Sequence, residues 1–171
     1  MTATVRVGLI AATALACFSA AEAQPAPARF VEAHGVFSIA APTGWSRAEA
    51  NFDGFVFKSP GGSMQGAIWV NLFSAGATVD ETADNYAKGA KVSGRRTLTI
   101  DSVPCVIFQA TYAENAHDAV LVCNITIPFK TGPVKAAFYA GGNAPVDKVE
   151  QMTAALQELA GSVIWGQGVG P

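Results

Sequence analysis

Two apolar runs separated by a short polar segment dominate the hydrophobic pattern of this chain. Residues 103–112 and 119–127 are rich in β-branched and aromatic side chains. Two such runs around a short polar break predict a β-hairpin. Successive strand residues point to opposite faces, so Cys105 and Val106 place apolar side chains on both faces of the first arm, and the second arm repeats this. A hairpin of this kind needs cover on both faces and is expected inside a sheet.

Shorter apolar runs predict five further strands, at residues 36–40, 55–58, 67–73, 97–100 and 134–139. Between the third and the fourth of these strands the pattern changes to helical spacing. Thr78 and Glu81 form a capping box at the start of this helix, and Gly94 suits its end after about four turns.

A second helix is predicted from Pro145, which suits a first helical turn. Its apolar residues recur along one face: Val146, Val149, Met152, Leu156, Leu159 and Val163. The Gly-Gly-Asn sequence at 141–143 is expected to break the chain before it. Short links favour antiparallel pairing. The predicted fold class is therefore α+β, an antiparallel sheet of about six to seven strands with helices packed on its faces.

The first residues predict export. Arg6 precedes an apolar stretch at 7–20, and the Ala-Glu-Ala sequence at 21–23 predicts cleavage between Ala23 and Gln24. A lipoprotein anchored at Cys17 is the alternative. The expected organisation is a signal peptide at 1–23, a flexible Pro/Ala-rich linker at 24–33, one domain at 34–165 and a disordered tail at 166–171.

Charge and cysteine content narrow the function classes. The formal net charge is −2, and the absence of a basic cluster argues against nucleic acid binding. Removal of Cys17 leaves Cys105 and Cys123 on opposite arms of the hairpin, where a turn centred on Glu114 would place them face to face. In an oxidising compartment they are expected to form a disulfide; two separate buried thiols are the alternative.

No catalytic or metal-binding motif emerges. His34 and His117 stand outside any H-E-x-x-H pattern, and we expect neither a metal nor another cofactor. His117 and Asp118 fall at the predicted hairpin turn, which favours a solvated histidine. The Gly-rich sequence at 61–66 misses the G-x-S-x-G pattern of a nucleophile elbow, because Gln65 replaces a required glycine.

Four aromatic residues crowd the segment before the third long strand: Trp45, Phe52, Phe55 and Phe57. Most are expected in the core, and the remainder would line an exposed groove or binding patch.

The opening motif Phe37-x-Ile39-x-x-Pro42-x-Gly44-Trp45, together with the order of elements, resembles the PsbP-like superfamily over residues 30–165. That superfamily includes the photosystem subunit, the Ran-binding Mog proteins and periplasmic DcrB-type proteins. The resemblance implies an α/β/α sandwich, and it implies a binding or assembly factor with no shared catalytic set.

Export, the missing catalytic motif and this resemblance predict a non-catalytic binding or assembly module of the bacterial cell envelope, periplasmic or secreted. Its partner would be an envelope protein. Two alternatives remain open. One is a carrier of a small apolar ligand in a pocket near Trp45 and Phe55; the other is a thiol-redox protein that uses Cys105 and Cys123.

Overall fold

The computed structural model describes residues 27–61, 66–113 and 116–171. Four sequence-based expectations lie outside these residues. They are the signal peptide with its cleavage site at Ala23 and Gln24, the lipoprotein alternative at Cys17, the turn centre at Glu114, and the serine of the glycine-rich sequence at 61–66.

Ten strands and two helices occur within the described residues. Their bounds are β1 Arg29–Val31, β2 Phe37–Ala40, β3 Ser46–Ala48, β4 Gly54–Lys58, β5 Ala67–Ser74, α1 Val79–Tyr86, β6 Lys91–Ile100, β7 Val103–Ala113, β8 Ala116–Phe129, β9 Gly132–Ala144, α2 Val149–Ser162 and β10 Ile164–Trp165. A 3-10 turn at Val146–Lys148 leads into α2.

The strands form two antiparallel sheets. The large sheet has seven strands in the order β3-β4-β5-β9-β8-β7-β6, and the small sheet has three in the order β1-β2-β10. The large sheet confirms the α+β fold class with about seven antiparallel strands. The small sheet was not predicted, because its three strands have at most four residues each and carry little periodicity of their own.

The β7–β8 hairpin lies inside the large sheet and is covered on both faces, as its pattern predicted. Cys105 and Ile107 pack with α2 and the small sheet in the main core. Val106 and Phe108 face the other way and pack with Ala83 of α1 in a second apolar cluster. The large sheet is therefore the middle layer of the sandwich, and burying apolar area on both of its faces stabilises it.

Helix α1 begins as predicted but ends early. The Thr78 hydroxyl accepts a hydrogen bond from the Glu81 amide at 3.1 Å, which confirms the capping box. The helix ends at Tyr86, and Gly89 adopts a left-handed φ of 83° that turns the chain. The predicted end at Gly94 is wrong, since Gly94 lies in β6 beside a register shift.

The glycines at 141 and 142 continue β9, so the predicted chain break is wrong. A Cβ atom on Gly142 would collide with the carbonyl oxygen of Ala67, and one on Gly141 would lie 2.5 Å from the hydroxyl of Tyr139. Glycine is needed here because neighbouring atoms approach the backbone closely.

Helix α2 buries most of its predicted stripe. Val146 is the exception: it precedes the helix in the 3-10 turn and is 63% exposed. The other stripe residues are buried in the main core: Val149, Met152, Leu156, Leu159 and Val163.

The segments expected to be mobile are partly ordered. β1 lies within the predicted linker and pairs with β2. In the expected tail, the Gly166 amide donates to the carbonyl of Val36 at 2.7 Å. Gly170 exchanges two backbone hydrogen bonds with Thr126. These bonds hold residues 166–170 against the domain.

Candidate functional site

The structure does not bring the four aromatic residues together as an exposed patch. Phe55 and Phe57 are buried in the main core, as most of the cluster was expected to be. Phe52 is half-buried and lies over Gly54, where a Cβ atom would come within 2.5 Å of its ring. Trp45 is half-buried at the margin of the core. Phe55 and Phe57 therefore belong to the core, and Trp45 and Phe52 are the two of the four that remain for an exposed groove or patch.

Trp45 lines two surface grooves. One groove of 280 Å³ runs from Trp45 to Pro145, and a second of 400 Å³ runs from Trp45 past Arg47. Phe55 lines neither groove, because it is buried in the main core; the Arg47 guanidinium lies 5.2 Å from its ring centroid. Neither of these two grooves is formed jointly by Trp45 and Phe55.

Cys105 and Cys123 are joined by a disulfide, as the turn position predicted. They face each other across β7 and β8, with Cα atoms 4.1 Å apart. Neither residue is exposed to solvent. Thiol exchange needs access to a sulfur atom, so this location favours a structural bond over the thiol-redox alternative.

The two histidines lie in different elements and contact different groups. The His34 ring contacts the buried Glu32 carboxylate at 3.0 Å in the β1–β2 turn. His117 and Asp118 lie in β8 and not in a turn, which corrects the sequence-based expectation. The His117 ring lies 3.2 Å from the Thr111 hydroxyl. Among the described residues, no three histidine, cysteine or acidic side chains gather as a metal-binding group.

A surface cleft lies between β6 and the C-terminal half of α2. It has a volume of 540 Å³ and opens to solvent. Leu98 and Ile100 of β6 form one wall, and Gly161 and Val163 form the other. Arg96 lies at one end of the cleft and Asp101 at the other, so the cleft combines apolar walls with charged ends.

The cleft exists because β6 extends beyond the area that α2 covers. Leu98 faces Cys105 and Ile100 faces Val103, and both partners lie on the α2 side of the sheet. Gly161 has no side chain to fill the space in front of them, and a Cβ atom there would meet nothing within 4 Å.

β6 is an edge strand, since within the described residues it pairs with β7 alone. Thr99 faces Pro104, which has no N–H to donate. In an antiparallel ladder, residues that do not exchange hydrogen bonds direct their N–H and C=O groups away from each other. Thr97 and Thr99 therefore present backbone donors and acceptors at the open edge, directly beside the cleft.

The cleft was not predicted from the sequence. The sequence pattern placed Leu98 and Ile100 on a strand, but it could not show that α2 stops short of them. The one local signal was the Ala160-Gly161 pair near the end of the apolar helix stripe, where small residues leave room beside a sheet.

Comparisons with known proteins support the fold alone. No protein-family model matches the sequence, and no curated protein matches it. LpqN of Mycobacterium tuberculosis, which is involved in cell envelope biogenesis, has a TM-score of 0.50 and 13% identity, over 79% of this chain and 83% of LpqN.

Two further structures are similar at slightly lower scores. Cyanobacterial PsbP (CyanoP) from Synechocystis sp. PCC 6803 has a TM-score of 0.49 and 13% identity, over 81% of this chain and 91% of CyanoP. A protein from Bacteroides thetaiotaomicron VPI-5482 has a TM-score of 0.49 and 14% identity over 83% of this chain, which spans only 49% of that protein. The similarity to LpqN agrees with the α/β sandwich that the sequence resemblance implied, and at 13% identity it shows a shared fold and nothing beyond it. Neither helix in the described residues is long and apolar enough to cross a bilayer.

Proposed function

We propose that this protein is an exported, non-catalytic binding module of the cell envelope. It holds an extended segment of a partner protein as an added strand on the open edge of β6. The observation that carries this proposal is the position of Thr97 and Thr99, whose outward backbone groups border the 540 Å³ cleft. Added strands gain affinity from backbone hydrogen bonds and specificity from alternate side chains that enter pockets.

The second half of β6 is better suited to pair with a partner strand than the first half. The register shift between Ser93 and Arg96 distorts the first half, and Arg95 there is held by Asp80 and Asp84. Bulges and charged side chains are ordinary protection against unwanted edge pairing. Residues 97–100 are regular and unprotected, so they give room for a segment of about four residues, the length of strand that they can pair.

Side chains of the added strand would alternate between the two faces of the sheet. Those on the α2 side enter the cleft, where Leu98, Ile100 and Val163 offer apolar contact. Arg96 at one end favours a carboxylate on the bound segment. The partner is therefore a protein with an exposed extended segment that combines an apolar and an acidic residue.

Export is supported by the predicted signal peptide at 1–23 and by the disulfide, which suits an oxidising compartment. The fold shared with LpqN, a protein of cell envelope biogenesis, agrees with an envelope location.

Selection from a random peptide library, followed by affinity measurements with four variants, tests this function. Thr99→Pro removes an outward N–H without removing a β6–β7 hydrogen bond, and Gly161→Trp fills the cleft. Each of these two variants should bind the selected peptides with an affinity lower by about tenfold or more, which is equivalent to about 1.4 kcal/mol. Thr99→Val and Gly161→Ala are the matched controls and should bind normally. Failure to select any peptide, or equal binding by Thr99→Pro, would reject the proposal.

A further inference from the structure

The β8–β9 hairpin extends beyond its neighbours at one end of the large sheet. β7 pairs with β8 only as far as Cys123, and β5 pairs with β9 only as far as Ala136. Among the residues that the structure describes, residues 126–135, here named the hairpin tip, pair with each other and, through Thr126, with Gly170. Four residue pairs at about 3.3 Å each make a projection of about 13 Å.

The hairpin tip exposes apolar side chains at the end of this projection. Phe129 is 48% exposed and Val134 is 46% exposed. Phe129 faces Gly132, which gives its ring no side-chain cover from the opposite strand. Pro128 and Pro133 are exposed as well. Exposed aromatic and apolar residues that are concentrated at a protruding tip are typical of a surface that contacts a membrane or another protein.

The charge of the hairpin tip has one sign. Lys130 and Lys135 are exposed, and the sequence has no acidic residue between Asp118 and Asp147. Neither lysine forms an ion pair within the described residues. Asp101 lies at the same end of the sheet, but in the β6–β7 turn on the far side of β7. The charged side chains of the hairpin tip itself are thus lysines alone.

The edges of the hairpin tip are unsuited to a partner strand. Pro128 faces Pro133, and neither has an N–H, so the missing donors are those that would point outward from the hairpin. On the β8 side, the outward groups of Thr126 are already bonded to Gly170. A protein partner would therefore gain little from strand addition here. Few exposed N–H groups also lower the cost of contact with lipid.

We propose that the hairpin tip docks the protein on an anionic phospholipid membrane. Phe129 enters the boundary between headgroups and acyl chains, and Lys130 and Lys135 bind lipid phosphates. One aromatic ring and two lysines give weak, reversible association that added salt reduces. This docking is independent of the peptide cleft, because it uses a different strand pair and a different kind of partner.

Sedimentation with sucrose-loaded vesicles tests this proposal on the protein as recovered from the cell envelope, after mass spectrometry has established its N-terminus. We expect binding at low salt to vesicles that contain phosphatidylglycerol and little binding to pure phosphatidylcholine. Phe129→Ser should weaken binding to these vesicles. The double variant Lys130→Gln/Lys135→Gln should also weaken it, by about fivefold for each lysine removed. All three substituted side chains are exposed, and circular dichroism checks that the variants fold.

Two controls match these changes elsewhere on the surface. Val146→Ser removes an exposed apolar side chain, and Lys88→Gln/Lys91→Gln removes two exposed lysines; both should bind like the wild type. No binding to anionic vesicles, or an equal loss in the control variants, would overturn the proposal. A photo-crosslinker at position 129 that reacts with one protein and no lipid would also overturn it.

Discussion

The hydroxyl of buried Thr82 in α1 donates a hydrogen bond to Oδ1 of Asn124 in β8, across 2.7 Å. Asn124 Nδ2 in turn donates to the carbonyl of Gly76 at 3.2 Å, and the Gly76 amide donates to the Thr82 hydroxyl oxygen at 2.8 Å. This closed set of hydrogen bonds joins the helix, the loop before it and the middle of the large sheet.

Thr82→Val should destabilise the protein by about 1–3 kcal/mol, because the isosteric change leaves the Asn124 carbonyl oxygen without its buried donor. Chemical denaturation measures the difference. Thr99→Val, which makes the same change at an exposed position, should alter the free energy of unfolding by less than about 0.5 kcal/mol. Equal effects from the two variants would show that the Thr82 contact contributes nothing specific.

Cys105→Ala/Cys123→Ala should lower the free energy of unfolding by about 2–4 kcal/mol, since the disulfide restricts the unfolded chain. Reduction of the wild type in denaturant should act in the same direction without changing any side chain. Because both sulfur atoms are buried, alkylating agents should label neither cysteine until the protein is unfolded and reduced. Labelling of the native protein at two positions would contradict the disulfide.

Glu32 should make stability depend on pH in the acidic range. Burial alone would raise the pKa of its carboxyl group, but hydrogen bonds from the His34 side chain and from the Val36 and His34 amides outweigh burial and lower it. A carboxylate whose pKa is lowered by folding contributes stability above its unfolded-state pKa, about 4.3, and loses that contribution as pH falls further.

Glu32→Gln tests this by denaturation across the pH range. The variant should be less stable than the wild type at neutral pH, and the difference should shrink as the pH falls below about 4.3. Glu49→Gln, at an exposed position, is the matched control and should follow the wild type throughout. A constant difference between Glu32→Gln and the wild type would place its effect in packing and not in ionisation.

The three tyrosines of the chain should ionise late in alkaline solution. Burial raises the pKa of Tyr86 to about 12. Burial raises the pKa of Tyr139 further still. Burial, together with the nearby Asp118, also raises the pKa of Tyr112. Absorbance titration should find fewer than half of the phenols ionised at about pH 10, the pKa of free tyrosine, until denaturant is added. Tyr112→Phe should remove the earliest of the three transitions.

The central hairpin was predictable because its local and tertiary requirements agree. Apolar residues on both faces called for cover on both faces, and the same turn that pairs Cys105 with Cys123 also pairs Val106 with Val122. The capping box at Thr78 was equally local, since the bond it makes spans only three residues.

The errors fall where distant contacts decide the structure. Gly142 was taken for a break, but the carbonyl of Ala67 passes against it, and no local pattern reveals that neighbour. Gly94 suited a helix end, yet it lies in β6 within the register shift between Ser93 and Arg96, and Lys91 before it already pairs with Thr111 of β7. The cleft escaped prediction for the same reason, because it depends on where α2 ends relative to β6.

The small sheet places β2 between β1, which precedes it closely, and β10, which lies near the other end of the chain. The Arg29 guanidinium also donates a hydrogen bond to the carbonyl of Ser162 at 2.6 Å, so a side chain joins the same two ends of the domain. A polypeptide that crosses a membrane from its N-terminus cannot complete this arrangement until residues 162–165 have emerged. Under the export proposed above, the small sheet would therefore form last, when the final strand arrives.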